Sequence, residues 1–297
     1  MLITVIVITY NSSEYVLETL DSVFRQTYQN IQLIISDDCS TDNTIEICQS
    51  WLDCHQKRFF KPSIISTHVN GGICANYNNG LKYAQGQWIK YIAGDDYLAN
   101  DCIEQFVKRA LVANEKEKIL ISGTIPFTED RTFAARIPPI HFFEGGSRDI
   151  ERIIVRLGTI IEGPTMFIDT QVLRSLGGFD NCYPFIEDYP LYMKFLANDY
   201  VIRLVAKPLI YYRIHPDSVS RSDERFADSI YSAIDKYGRA AAIRNHMFVS
   251  WWHLTIDSHI RRLKKRGAHP LAAYALRAAD PLAYKRIILA HSTHRIG

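Results

Sequence analysis

LITVIVIT, residues 2–9, is β-branched at every position after Leu2, carries no charge and does not alternate with polar residues. A strand of this kind has to be covered on both faces, the condition of a strand inside a parallel sheet flanked by helices. Further apolar strands are expected at IQLIIS (31–36), Ser63–Thr67, QWIKYIA (87–93) and ILIS (119–122). Between them the period changes. Val16, Leu20, Val23 and Phe24 recur at helical spacing after the turn Asn11–Ser13. Ser40, Thr41 and Asp42 are N-cap candidates for a helix carrying Ile45 and Ile47. The spacing also predicts helices over about 73–84 and 99–113. Alternation at this interval implies an α/β fold, Rossmann-like, with a mostly parallel central sheet and flanking helices. In such open sheets ligands sit beyond the carboxyl ends of the strands. Three polar clusters fall there: TYN (9–11), DD (37–38) and GDD (94–96).

From about 124 to 163 the pattern is broken by Pro126, Pro138, Pro139, Gly145 and Gly146, which predicts loops and short strands that could cover a site. Regularity resumes with PTMFID (164–169), a helix over LRSLGG (173–178), and two short strands, YVIRLVA (200–206) and LIYYRI (209–214). Residues 225–266 read as mainly helical, with Phe248, Trp252, Ile256, Ile260 and Leu263 three or four apart and RRLKKR (261–266) at the end.

Charge divides the chain at the same place. Residues 1–224 hold 21 Lys/Arg against 28 Asp/Glu, and residues 225–297 hold 13 against 4. The expected organisation is a body over 1–224, with halves at about 1–123 and 124–224, and a basic helical C-terminal extension over 225–297. The net charge of +2 argues against a nucleic-acid partner. The apolar stripe of the extension suits packing against the body or a second subunit, as in a homodimer. Its alternative is a helix lying on anionic lipid, where each basic residue adds roughly 1 kcal/mol. No charged n-region and apolar h-region open the chain, and no run of 18 apolar residues occurs. The six cysteines form no CxxC pair or Cys/His ligand set, as expected of reduced thiols in a cytoplasmic protein.

Asp95 and Asp96 could hold a divalent cation that keeps phosphate as a co-ligand, or could be solvated residues of a tight turn. Asp37 and Asp38 could accept hydrogen bonds from a nucleoside or serve a helix N-terminus. Tyr10 could stack on a base or pack at a loop start. Asn70, Gly71 and Gly72 precede a helix, where backbone N–H groups could approach a phosphate. Glu187 and Asp188 open another helix, either serving its dipole or supplying a general base. His215 follows a strand and could be a third metal ligand.

Taken in order, VIVITYN, SVFRQTYQNIQLIISDDCSTDNT, NGGICANYNNGLKYAQGQWIKYIAGDDYL, GGFD with EDY, and PLIYYRIHPDSVS resemble the family 2 glycosyltransferases, inverting enzymes of the GT-A fold. The likeness covers about residues 2–220. It implies a nucleotide-sugar donor, UDP-linked first and dTDP-linked next, and a glycan or lipid-linked glycan acceptor in bacterial surface-polysaccharide assembly. It implies Tyr10 and Asp38 at the base with Asn70 nearby, Asp95 and Asp96 at the ribose and the metal-bound diphosphate, and Mn²⁺ or Mg²⁺ as the metal. Asp188 becomes the catalytic base with Glu187 beside it on the substrate, and His215 a further contact to metal or diphosphate. The membrane version of the basic extension would suit a lipid-linked acceptor, with peripheral association on the cytoplasmic face of the inner membrane. Three positions depart from the family's usual residues: Ala93 for an acidic residue, Tyr77 for arginine and Cys39 for glycine. Two other readings use similar residues: a metal-dependent nucleotidyltransferase, which should show a basic Gly-rich loop that TYNSSEY lacks, and a non-catalytic nucleotide-sugar-binding scaffold.

Overall fold

β1 (Ile3–Thr9) is buried along its whole length and lies between β2 (Ile31–Asp37) and β4 (Trp88–Ala93), parallel to both. β3 (Ser63–Ser66) extends the parallel array beyond β2. The computed structural model describes residues 1–158, 160–215 and 224–265. Side chains of β1 alternate between two cores, as strand geometry requires. Ile6 and Ile8 point to one, and Ile3, Val5 and Val7 to the other. α3 (Ile73–Tyr83) covers the first face; α1 (Val16–Phe24), α2 (Thr44–His55) and α4 (Cys102–Ala110) cover the second.

Four more strands complete the sheet: β5 (Tyr97–Leu98), β6 (Ile119–Phe127), β7 (Phe167–Asp169) and β8 (Ile202–Arg213). The order is β3-β2-β1-β4-β7-β6-β8-β5. The expected parallel character holds for the first half, while the second half is mixed. β7 runs antiparallel to β4 and β6, β5 is antiparallel to β8, and β6 is parallel to β8.

Two expectations need correction. Residues 124–163 are more ordered than loops and short strands: β6 continues to Phe127, and Thr124 exchanges backbone hydrogen bonds with Arg136. The segment then forms α5 (Ser147–Leu157), burying Ile150, Glu151 and Ile154 at helical spacing. Gly145 and Gly146 lie just outside the helix, where they shape its entry rather than break it. Likewise 202–213 is one strand, not two. Pro208 lacks an N–H donor, and the pairing absorbs it with register shifts on either side of Gly123.

α6 (Thr170–Ser175) and α7 (Asp188–Ala197) precede β8. Beyond it come α8 (Glu224–Ala233), a π-helical turn (Ile234–Gly238), α9 (Arg239–Arg244) and α10 (Phe248–Lys265). These helices pack on the body. Phe226, Ile230, Ile234 and Tyr237 join its core, Tyr237 donates to Asp180 at 2.6 Å, and Arg244 and Asn245 bond the fully buried Glu151. The expected stripe divides: Ile256 and Ile260 are buried, while Phe248 and Trp252 are 65% and 47% exposed. No helix among the described residues is long and apolar enough to cross a membrane. The basic stretch from residue 266 onward lies outside the described residues.

Candidate active site

The ends of β1, β2 and β4 open into one cavity of about 1530 Å³. Tyr10, Asp38, Asn70, Asp95, Asp96, Glu187 and Asp188 all line it, so residues up to 178 positions apart in sequence are brought together. Tyr10 stands half-exposed at its lip.

The two carboxylates ending β2 hold loops in place. Asp37 accepts hydrogen bonds from the Thr9 hydroxyl at 2.7 Å and the Ser40 amide at 2.8 Å. Asp38 accepts from the amides of Gly71 and Gly72, at 3.0 and 2.7 Å, and from the Thr67 hydroxyl at 3.1 Å. The glycine N–H groups expected to approach a phosphate are therefore committed to Asp38. Gly72 is needed for its backbone, with φ at +84°. None of the three N-cap candidates is the N-cap of α2: that residue is Asn43, whose side chain makes no capping bond, while Asp42 just before it accepts from the amide of Thr44, the first helical residue, and from that of Ser13.

The 94–96 turn places its neighbouring carboxylates in different surroundings. Asp96 is 3% exposed, and its carboxylate accepts the Arg213 amide at 2.8 Å. Burial, followed by the charge of Asp95, holds its carboxyl well above the usual range. The Asp95 carboxylate meets His215 Nε2 at 3.1 Å. Arg213 clamps the turn by donating to the Asp95 carbonyl at 2.8 Å while pairing with Glu18. Its guanidinium lies 4.3 Å from the Tyr15 ring centroid and 4.5 Å from that of Phe127. Asp95, Asp96 and His215 do not converge as one ligand set, and among the described residues no three His, Cys, Asp or Glu side chains do so. Asp95 with His215 still fits a divalent ion: they supply an oxygen and a nitrogen donor within reach of each other, and such an ion can complete its shell with phosphate and water.

Glu187 and Asp188 sit at the N-terminus of α7, where they line the same cavity. Asp188 accepts the Tyr189 amide at 2.6 Å. Burial raises the pKa of both carboxyls, and the charge of Asp188 raises Glu187 further. The Glu187 carboxylate lies over Gly163, where a Cβ would stand 2.2 Å from Oε1, so a larger residue there would displace the carboxylate from this position.

Sequence reasoning passed over four polar residues. Lys90, the single charge within QWIKYIA, is fully buried and donates to the carbonyls of Tyr91, at 2.6 Å, and Pro164. Burial pulls its pKa down to about 8. A lysine inside an apolar strand was the available signal. Arg213 was hidden within a strand, and Glu162 and Arg136, paired at 3.0 Å on the cavity wall, within the segment read as loops. Of the departures from the family pattern, Tyr77 is buried with ring centroids 4.5 Å from Tyr91 and 5.0 Å from Phe179. Cys39 adopts φ of +65°, a region that suits the usual glycine.

Carboxylates gathered beyond the strand ends of an α/β sheet occupy the place where such sheets bind their ligands. The model of glycosyl transferase family 2 matches residues 4–174, more than half of the chain, and the chain belongs to that family. Family membership decides against the nucleotidyltransferase alternative. A glycosyltransferase of Rickettsia typhi is 28% identical over 197 residues, 66% of this chain and 58% of that protein, so the chain spans little more than half of that relative. The Escherichia coli protein WfaP, named as a UDP-Glc:α-D-GlcNAc-diphosphoundecaprenol β-1,3-glucosyltransferase, is 26% identical over 224 residues, 74% of this chain and 80% of WfaP. Among solved structures, S. aureus TarS with UDP superposes with a TM-score of 0.61 at 19% identity, covering 89% of this chain and 72% of that one. The mannosyltransferase PcManGT of Pyrobaculum calidifontis, solved with GDP-Man and Mn²⁺, gives 0.58 at 18% identity, covering 96% and 81%. The fold is therefore of the GT-A type.

Proposed function

We propose that this protein transfers a sugar from a nucleotide-sugar to a hydroxyl of a glycan or lipid-linked glycan acceptor, with inversion. The observation carrying this reading is that Asp188, its pKa raised by burial, lines the same cavity as Asp95, which His215 contacts at 3.1 Å. Tyr10, Asp38 and Asn70 would hold the nucleoside end, and Asp95 and His215 the diphosphate with Mn²⁺ or Mg²⁺. When bound, the ion would neutralise charge on the departing diphosphate. Asp96 keeps the turn in place from behind, through the Arg213 amide.

Asp188 takes the proton of the acceptor hydroxyl, because a sugar hydroxyl is a poor nucleophile at neutral pH. The freed oxygen bonds to the anomeric carbon as the bond from that carbon to the diphosphate oxygen breaks on the opposite face. Glu187, kept protonated longer by burial and then by its neighbour's charge, is suited to donate a hydrogen bond to substrate. A UDP-sugar is the favoured donor and a dTDP-sugar the next; WfaP's name and the UDP complex of TarS support the first. Surface-polysaccharide assembly at the cytoplasmic face of the inner membrane is the setting we favour. The basic excess of the extension and the exposed Phe248, Val249 and Trp252 support membrane contact.

The test is a nucleotide-sugar panel with Asp188→Asn. Transfer should fall by about two to four orders of magnitude, the usual worth of a general base, while calorimetric binding of the nucleoside diphosphate with Mn²⁺ is retained. Full activity in the variant would refute the assignment of the base, and nucleotide-sugar binding without transfer by the unaltered chain would favour the scaffold reading.

A further inference from the structure

Beside the polar residues the cavity has an apolar lining. Ile137, Ile160, Ile161, Phe226, Ile230 and Ile234, drawn from three separate segments, contribute to it, with Ser229 between Phe226 and Ile230. Phe226, Ile230 and Ile234 are four residues apart, so they project from one face of α8 and into the π-helical turn that follows. They lie beyond the segment that matches the family model. Where this wall meets the carboxylates, Glu162 and Arg136 form the ion pair at 3.0 Å, a donor and acceptor set suited to hydroxyl groups.

A cavity of about 1530 Å³ exceeds the roughly 300–1,000 Å³ that encloses one small ligand, so there is room for two substrates side by side. A wholly polar second substrate would be mismatched here. Its hydroxyls would lose water against aliphatic side chains that return no hydrogen bond. An occupant with a sugar at Glu162 and Arg136 and a hydrocarbon chain beyond satisfies both ends.

We propose that this wall is a subsite for the aliphatic chain of a lipid-linked acceptor, formed in part by the C-terminal helices. The proposal rests on the glycosyl-transfer reading above. Continuity with the catalytic carboxylates places the acceptor's sugar, rather than its chain, at Asp188.

The experiment compares methyl and octyl glycosides of the same sugars as ligands. The octyl compounds are kept below their micelle concentration, and affinities are measured by titration in the presence of UDP and Mn²⁺. The full chain should bind the octyl series at least tenfold more tightly, the gain expected from burying about two methylenes. Ile230→Ser and Phe226→Ser should each reduce that preference at least threefold, with UDP affinity and melting temperature as controls on folding. Asp188→Asn should keep the preference, which separates failure of this subsite from failure of the base assignment. Equal binding of methyl and octyl compounds by the unaltered chain would overturn the proposal without any variant, leaving the wall as a packing surface for the chain itself or a second copy. An octyl preference undiminished in both serine variants would overturn it equally.

Discussion

Replacing Lys90 by methionine exchanges a fully buried ammonium for an apolar side chain of similar length. The amine titrates at about 8 in the folded chain against 10.5 for a free lysine, and burial is the leading cause. Below pH 8 both states carry the proton, and the native state bears the whole cost of burying the charge. Between pH 8 and 10.5 the unfolded chain still binds the proton that the native chain has lost, so native stability rises with pH across that window. A shift of that size, at 1.36 kcal/mol per pH unit, corresponds to about 3 kcal/mol. Lys90→Met removes this cost but leaves the carbonyls of Tyr91 and Pro164 without their donor, each loss worth about 1–3 kcal/mol. The opposing terms leave the variant within about 2 kcal/mol of the parent at pH 7. By pH 10.5 the neutral amine still donates and no longer carries the burial cost, so the parent should have gained about 3 kcal/mol on the variant. Urea unfolding of both chains at pH 7, 8.5 and 10.5 measures this, since titrations common to both cancel in the difference. Parallel stability curves would refute the buried-cation account of Lys90.

Glu187→Gln mimics the protonated form favoured by burial and by the charge of Asp188. Its turnover at pH 7 should stay within about threefold of the parent, as expected for a group that does not transfer the proton. If Asp188 acts as the proposed base, it is needed as its carboxylate, and because its pKa is raised, turnover in both chains should climb as pH rises from the ordinary carboxylate range towards neutrality. A pH–rate profile flat across that range would contradict the raised base. Cys39→Gly removes a side chain from φ of +65°, relieving about 1–2 kcal/mol of backbone strain, while the freer unfolded chain offsets about 0.5–1 kcal/mol. The net gain of up to about 1.5 kcal/mol should appear as a higher denaturant midpoint with unchanged slope. A lower midpoint would show that the thiol's contacts outweigh the strain.

The first half of the fold was legible because its signals are local. A strand buried on both faces cannot hide a polar residue cheaply, so β1, β2 and β4 announce themselves, and their polar ends mark the cavity. The second half was less legible because its cues conflict. Gly145 and Gly146 read as breakers although they only precede α5, and Pro208 read as a strand end although a register shift absorbs it. In the site, residue types pointed to the right places more readily than to the right partners. Asp38 lines the cavity as expected, but its bonds to Gly71 and Gly72 depend on a loop 33 residues further on. Nothing local in GDD distinguishes Asp95, facing His215, from Asp96, facing the Arg213 amide. That division is decided by a strand more than a hundred residues away.

The Arg213 clamp has a temporal consequence. Its amide and guanidinium close on a turn formed 117 and 118 residues earlier and on Glu18, 195 residues earlier. Loop closures of that length come late, because their entropy must be met before the contacts form. On the ribosome, the first four strands can assemble as a sheet while the 94–96 turn still lacks its clamp and Asp95 its histidine. On the proposed reading, the unfinished chain would have a sheet before its diphosphate end is ordered, and a sugar-nucleotide would not be engaged there until the last of the described strands is in place.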